Sequence, residues 1–340
     1  MNTLIVKGIF LSSKHVGLPI PTMAIIRFTF ATLMVTNIIM NMNKTLKIIV
    51  FSIFSVLLIA GCKKEFVIPE PFPGGELKGE FSVGDSNKVI FSKGNLQYQA
   101  STDTWRFAES QLGVVGLDNK QISETDTCWI DLFGWATSGF PHGSECYQPW
   151  SSSDNGRSYY AYEMFQTYSL FDKTGQADWG YNAISNGGNE QNIWRTPRYE
   201  EWNYLLKERE TKSGLRFIKA EIDELNCKTN GLVIFPDNWN STLYKVNKPN
   251  DAESMYGDNV ISLGDWFLIF EFNGCVFLPA AGSRSSQIVR NCNVAGKYWS
   301  STCAGIYCAG TLSFDYLYFG TYLSEPCSSG YSVRLVKDKK

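Results

Sequence analysis

The chain has 340 residues, 44% of them hydrophobic and 14% aromatic, enough apolar material to bury a sizeable core. Its net charge of −2 arises without any basic block, so no surface for nucleic-acid phosphates is expected.

Residues 1–41 contain an apolar patch at 24–40, interrupted by Arg27 and ending just before Met42. We read this stretch as an upstream extension of the true start. Residues 42–61 then have the order of a bacterial secretory signal, with Lys44 and Lys47 ahead of the apolar run IIVFSIFSVLLIAG. The run ends in Ile59-Ala60-Gly61-Cys62, a lipobox, so Cys62 is the expected acylated residue. Residues 62–80 form the expected tether, because the three prolines and two glycines of 69–75 disfavour both helix and strand. Residues 81–340 contain no dividing linker and no internal period, and are expected to form one elaborated domain.

Within that domain, KVIFS (88–92), LQYQA (96–100) and WRFA (105–108) predict short strands separated by turn residues. Thr196-Pro197 predicts a helix start, with the helix running to about Glu210 and burying Tyr199, Trp202, Leu205 and Leu206 on one face. Further strands are expected at 215–220, 231–235, 275–279 and 331–336, with a short helix near 265–270. The stretches 140–192 and 240–260 read as long irregular loops.

Catalytic constellations are sparse. After Cys62 the sequence has one histidine, His142, in a Pro-His-Gly loop, and no G-x-S-x-G elbow. Glu200-Glu201 and Asp223-Glu224 are adjacent in sequence and do not face each other on a helix. Asp251, Glu253 and Asp258 are oxygen ligands without the spacing of an EF-hand. Eight cysteines besides Cys62 (Cys128, Cys146, Cys227, Cys275, Cys292, Cys303, Cys308 and Cys327) leave any disulfide pairing open.

The segments FLPAAG (277–282), YWSST (298–302) and SVRLV (332–336) frame the C-terminal tract. Ahead of them stand FSKGNLQYQASTDTWRFAE (91–109), WIDLFGWATSG (129–139), DWGYNAISNGGN (178–189) and WRTPRYEEWNYLL (194–206). In this order they resemble bacterial lipoproteins of the Fibrobacter major paralogous domain type, whose fold is similar to C-type lectins and to the formylglycine-generating enzyme. The ending also resembles the variable proteins of diversity-generating retroelements. The resemblance implies an α+β, C-type-lectin-like domain, β-rich with short helices and long irregular loops. The residues themselves lead us to expect no enzymatic activity and no cofactor or metal; the alternatives are an invariant carbohydrate-binding or adhesin-like lipoprotein and, from another class, a copper oxidase of the formylglycine-generating type. The implied protein is a monomer, lipid-anchored in the outer membrane at the cell surface, with an extracellular protein or glycan as ligand. The absence of Asp after Cys62 accords with the outer membrane.

Two motifs of these relatives are incomplete. Glu325-Pro326-Cys327 has Cys where sugar-binding lectins have the coordinating Asn. Cys303 and Cys308 have the separation of the copper-holding pair of the oxidase, but its Gly-Asn-Val-Trp-Glu-Trp companion is missing.

In the retroelement systems template adenines are copied to any base, and AAC codons become NNC, which never encode Lys, Glu, Gln, Met or Trp. Residues 303–329 contain none of these five except Glu325. The expected variable tract spans about 284–332. Its expected ligand-facing residues are Cys303, Gly305, Ile306, Tyr307, Cys308, Gly310, Thr311, Ser313, Asp315, Tyr316, Tyr318, Phe319, Tyr322, Ser324, Cys327 and Ser328. Tyrosine among Gly and Ser offers large amphipathic contact area at low rotamer cost. Leu312 and Phe314 alternate as core residues, and Trp299 and Arg334 belong to the structural frame.

Overall fold

The computed structural model describes residues 74–140, 147–154, 168–172, 175–224 and 227–339. The upstream extension, the signal segment, Cys62, His142 and Cys146 lie outside the described residues. All described residues fall in the compact unit Pro69–Lys340. They are β-rich with few short helices, as a β-rich α+β chain requires.

Among the described residues, sixteen short strands make five small sheets. Strands β1 (Phe81–Ser82) and β2 (Lys88–Phe91) pair with β16 (Val336–Asp338), joining the two ends of the domain. Strand β3 (Leu96–Gln99) is flanked by β4 (Thr104–Phe107) and β5 (Trp129–Ile130). The largest sheet has the order β8-β6-β7-β9, built from β6 (Phe217–Glu224), β7 (Cys227–Ile234), β8 (Val260–Ser262) and β9 (Val276–Pro279). Strands β10 (Ser283–Ser285), β11 (Ile288–Arg290) and β15 (Ser329–Gly330) form a small sheet. The C-terminal tract folds as an antiparallel meander of β12 (Gly296–Gly305), β13 (Cys308–Phe314) and β14 (Phe319–Pro326).

The four-stranded sheet is covered on both faces. Phe217, Leu232, Ile234, Val276 and Leu278 pack on one side with Tyr298, Leu312 and Phe314 of the meander. Their neighbours Ile218, Val233, Phe235, Cys275 and Phe277 pack on the other side with Trp266 and Phe270. This period-two division is what alternating side chains on a pleated strand produce, and each buried Leu, Ile or Phe contributes about 1.5–3 kcal/mol. Gly231 permits the packing: a β-carbon there would lie 2.4 Å from the Phe277 ring.

Helix α1 begins later than Thr196. It runs as α-helix over Tyr199–Asn203 and continues as a π-helical turn over Tyr204–Glu208. Thr196 is diverted because its hydroxyl and backbone N–H both donate to the buried Asp178 carboxylate, at 2.8 and 3.0 Å. Arg198 takes the N-cap position, and its N–H donates to the Glu201 carboxylate at 2.8 Å. Trp202, Leu205 and Leu206 are buried as the sequence implies, whereas Tyr199, in the first turn, is only half-buried. Helix α2, Leu263–Asp265 followed by the π-helical Trp266–Glu271, supplies the expected second helix. Among the described residues, no helix is long and apolar enough to cross a membrane.

Asp131 is buried and accepts from Val115 N and Asn119 Nδ2, both at 2.8 Å. Burial outweighs these bonds and raises its carboxyl from 3.8 to about 6. The native state therefore binds a proton more tightly than the unfolded chain. The associated stability is fully present below pH 3.8 and is lost as pH rises through 6. Burial raises the Asp178 carboxyl as well, in the same direction. Urea unfolding between pH 4 and 7 should show the Asp131 share of this loss, roughly 2–3 kcal/mol. In Asp131→Asn that share of the slope should vanish, whatever the substitution costs in absolute stability. An unchanged slope would refute the assignment.

Candidate functional site

The meander has two turns at opposite ends. At one, Gly305 pairs with Cys308 across the two-residue turn Ile306-Tyr307, with Gly305 at φ 144°. At the other, Phe314 pairs with Phe319 and residues 315–318 close the loop. There Asp315 N donates to Tyr318 O at 2.8 Å, while Asp315 Oδ1 accepts from the N–H groups of Leu317 and Tyr318, both at 2.6 Å. An Asp side chain closing its own turn in this way frees the next residues to point outward. Tyr316 and Tyr318 are accordingly 51% and 63% exposed, and Leu317 stands exposed between them. Phe319 anchors the turn inward, its ring stacked on Phe217 at 4.2 Å between centroids.

One face of the meander packs into the core through Tyr298, Leu312 and Phe314. The other carries, in register, Trp299 opposite Thr311 and Thr311 opposite Tyr322, then Lys297 opposite Ser313 and Ser313 opposite Gly320. At the latter end lies a cleft of about 340 Å³ lined by Ala295, Lys297, Ser313, Phe314, Asp315, Tyr318, Tyr322 and Glu325. Its polar side is a closed network: Lys297 Nζ donates to Glu325 Oε1 at 2.7 Å and to Tyr331 Oη at 3.3 Å, and Tyr331 Oη donates to Glu325 Oε2 at 2.5 Å. Burial, then the carboxylate of Glu325, raises the Tyr331 phenol above its ordinary value, so it stays a donor. Lys297 also lies over the Tyr331 ring, 4.9 Å from its centroid and within the roughly 6 Å reach of a cation–π contact. Tyr318 and Tyr322, the latter 38% exposed, supply the aromatic rim. No side chain at Gly320 intervenes: its β-carbon position is 3.6 Å from the Tyr322 hydroxyl, so the ring leans over it.

The expected ligand-facing residues do not form one patch. Gly310, Thr311 and Cys327 are buried and are removed from the set. A β-carbon at Gly310 would meet Ser300 Oγ at 2.6 Å and Tyr199 Cβ at 3.2 Å, so α1 covers that face. Cys327 lies in the aromatic core with Trp135 and Trp299. Ser313 is nearly buried but lines the cleft. Cys303, Gly305, Ile306, Tyr307 and Cys308 gather at the first turn, about six residues along β13 and on the order of 20 Å from the second turn. Ser324 is exposed on edge strand β14 with Leu323, and Ser328 is half-buried beyond it. Only Asp315, Tyr316, Tyr318 and Tyr322 of the expected set form or flank the cleft with Ser313. Lys297, Ala295 and Glu325 were missed. Lys297 alternates with Trp299 on the strand, and Glu325 is the lone residue of its class in the tract; both signals were present.

The cysteine pair has different surroundings from a metal site. Cys303 Sγ donates to Gly305 O at 3.2 Å, and burial raises the Cys303, Cys308 and Cys327 thiols, disfavouring the thiolate that soft metals require. The described cysteines are all free thiols. In the 247–259 loop, Asp258 is spent on Met255 N and Lys248 Nζ, and Asp251 on Glu253 N. Among the described residues no group of three or more His, Cys, Asp or Glu is arranged to hold a metal.

No family model, curated protein or solved structure matches the chain.

Removing the Glu325 carboxylate strands Lys297 and Tyr331, whereas the rim tyrosines support nothing beneath them. Glu325→Ala should cost about 1–2 kcal/mol in urea unfolding. Tyr316→Ala and Tyr318→Ala should each stay within about 0.5 kcal/mol of the parent. The reverse ranking would show that the rim belongs to the core.

Proposed function

We propose that the protein is a lipid-anchored, surface-displayed binding protein with a C-type-lectin-like domain, which captures an extracellular protein or glycan through its C-terminal meander without turnover. The observation that carries this reading is the contrast within 296–330. A core-packed three-stranded frame holds exposed Tyr316, Tyr318 and Tyr322 around a cleft, the residue type and setting of an adaptable recognition surface. The β-rich architecture with short helices and long connections is compatible with the lectin-like fold that the sequence motifs imply. Diversification of the tract accounts for its codon-class bias, and the exposed positions 306, 316–318 and 322–324 would be its contact residues.

A second reading, a fixed-ligand adhesin or carbohydrate-binding lipoprotein, draws support from the cleft wall. Lys297 and Glu325 belong to the residue types that the NNC change cannot produce, and they are locked to each other. A fixed wall with a variable rim suits the first reading; a fixed wall with a fixed rim suits the second.

Sequencing codons 284–332 across a population of the source organism, with the adjoining DNA, separates the two. The diversified reading expects substitutions at the exposed positions, each matching an adenine of a near-identical copy beside a reverse transcriptase, with Trp299, Leu312 and Phe314 unchanged. An invariant tract with no such copy would overturn diversification. For either reading, a Tyr318→Ala/Tyr322→Ala double variant should bind a ligand recovered by the parent protein at least about tenfold more weakly, the loss expected of two aromatic anchors.

A further inference from the structure

Helix α2 divides sharply between two environments. Trp266 and Phe270 enter the core against Phe277 and Phe235, with Trp266 and Phe270 stacked at 5.9 Å. Phe267, Leu268 and Phe272 face outward; Leu268 is 72% and Phe272 64% exposed. The π-helical turn brings Phe267 and Phe272 to one side, since Phe272 N donates to Phe267 O at 3.2 Å. Three large apolar side chains thus share one exposed surface.

The last residues of the expected tether are packed on the domain: Gly75 lies against Asn186 and Gly187 and Leu77 is buried, and the chain then passes this same surface at Lys78. Lys78 Nζ sits over the Phe272 ring, 4.5 Å from its centroid. The next residue, Gly79, runs against Gly274 so closely that a β-carbon on Gly79 would be 2.1 Å from the Gly274 carbonyl oxygen. Between Cys62 and Gly74, four residues ahead of Lys78, lie residues 63–73, a length that spans at most about 40 Å even when fully extended.

We propose that the Phe267, Leu268 and Phe272 face of α2 rests on the lipid surface to which Cys62 ties the chain. This inference rests on the lipid-anchor part of the function proposed above. A lipid surface suits both halves of the patch: the apolar side chains enter the headgroup and acyl boundary, and the exposed Lys78 ammonium meets anionic headgroups. Of the acids on α2, Glu271 is turned to Gln111 Nε2 at 3.2 Å, leaving Asp265 at the far end of the helix. Three side chains bind a bilayer weakly on their own, but the acyl anchor raises their effective concentration at the surface. The orientation follows from the core: α2 packs on one face of the β8-β6-β7-β9 sheet and the meander on the other. Docking through α2 therefore turns the tyrosine cleft away from the membrane.

The test uses the full chain, made and processed in a lipoprotein-competent bacterium and reconstituted into phosphatidylglycerol-containing vesicles. A p-benzoylphenylalanine replaces Leu268 in one preparation and Tyr316 in another. Mass spectrometry of the mature chain first reads the acyl groups on Cys62. With Cys62 acylated, photolysis should give a lipid adduct at 268 about tenfold above that at 316, and Phe272→Glu should lower the adduct at 268, as expected for an interfacial apolar face. An acylated chain whose adduct at 268 is no greater than at 316 overturns the docking while leaving the anchor intact. A mature chain without acylation at Cys62 overturns the anchor reading and this proposal with it.

Discussion

The buried guanidinium of Arg334 is the interaction on which the layers of this domain converge. It donates to Gln111 Oε1 at 2.8 Å and to Asn95 Oδ1 at 3.3 Å. Gln111 Oε1 also accepts from Phe277 N at the edge of the four-stranded sheet, and Asn95 Nδ2 reaches the Tyr298 hydroxyl, which itself donates to Pro279 O. One cation thus joins the N-terminal strands, the central sheet and the first strand of the meander. Burial lowers its pKa only to about 10, so it remains charged at neutral pH. A buried charge with neutral acceptors tolerates little displacement, because each acceptor lost leaves desolvation uncompensated.

Two tryptophans extend this fixation to the base of the meander. Trp299 Nε1 donates to Phe133 O at 2.7 Å, and Trp135 Nε1 returns the bond to Ser300 O at 2.8 Å. Strand β12 is therefore tied twice to the 133–135 segment, and β13 and β14 continue the sheet from its edge. Arg195 does similar work at the domain ends, clamping Glu201 of α1 and Asp338 of β16. The outermost strand, β14, inherits a rigid neighbour, anchors itself through Phe319 and Glu325, and carries Tyr322, Leu323 and Ser324 exposed between them.

Much of this frame was legible from periodicity. The alternation of Leu312 with Phe314, the apolar runs of β7 and β9, and the buried stripe of α1 each follow from a single local rule. The start of α1 was not, because Thr196 has the chemistry of a cap and is claimed instead by Asp178, eighteen residues earlier in the chain. The expected ligand-facing set is exposed only in part, for a related reason. Glycine, threonine and cysteine suit a loop surface by composition, but they equally suit a strand squeezed between two layers. Gly310 under Tyr199, Thr311 beside Trp299 and Cys327 among the tryptophans occupy such places. Which of the two applies depends on what lies across the sheet, and that is tertiary information.

The cleft joins two kinds of residue with opposite demands. Lys297, Glu325 and Tyr331 satisfy one another, so replacing any one of them leaves a partly buried polar partner behind. Tyr316 and Tyr318, held out by the Asp315 turn, make no such commitments beneath them, and exposed substitutions of that kind ordinarily shift stability by a few tenths of a kcal/mol. Stabilising contacts and exposed aromatic surface are thereby assigned to different side chains within a few ångströms. A surface of this construction can change its exposed side chains while the carboxylate, the lysine and the core-facing alternation beneath it stay fixed, and that separation follows from the register of β12, β13 and β14.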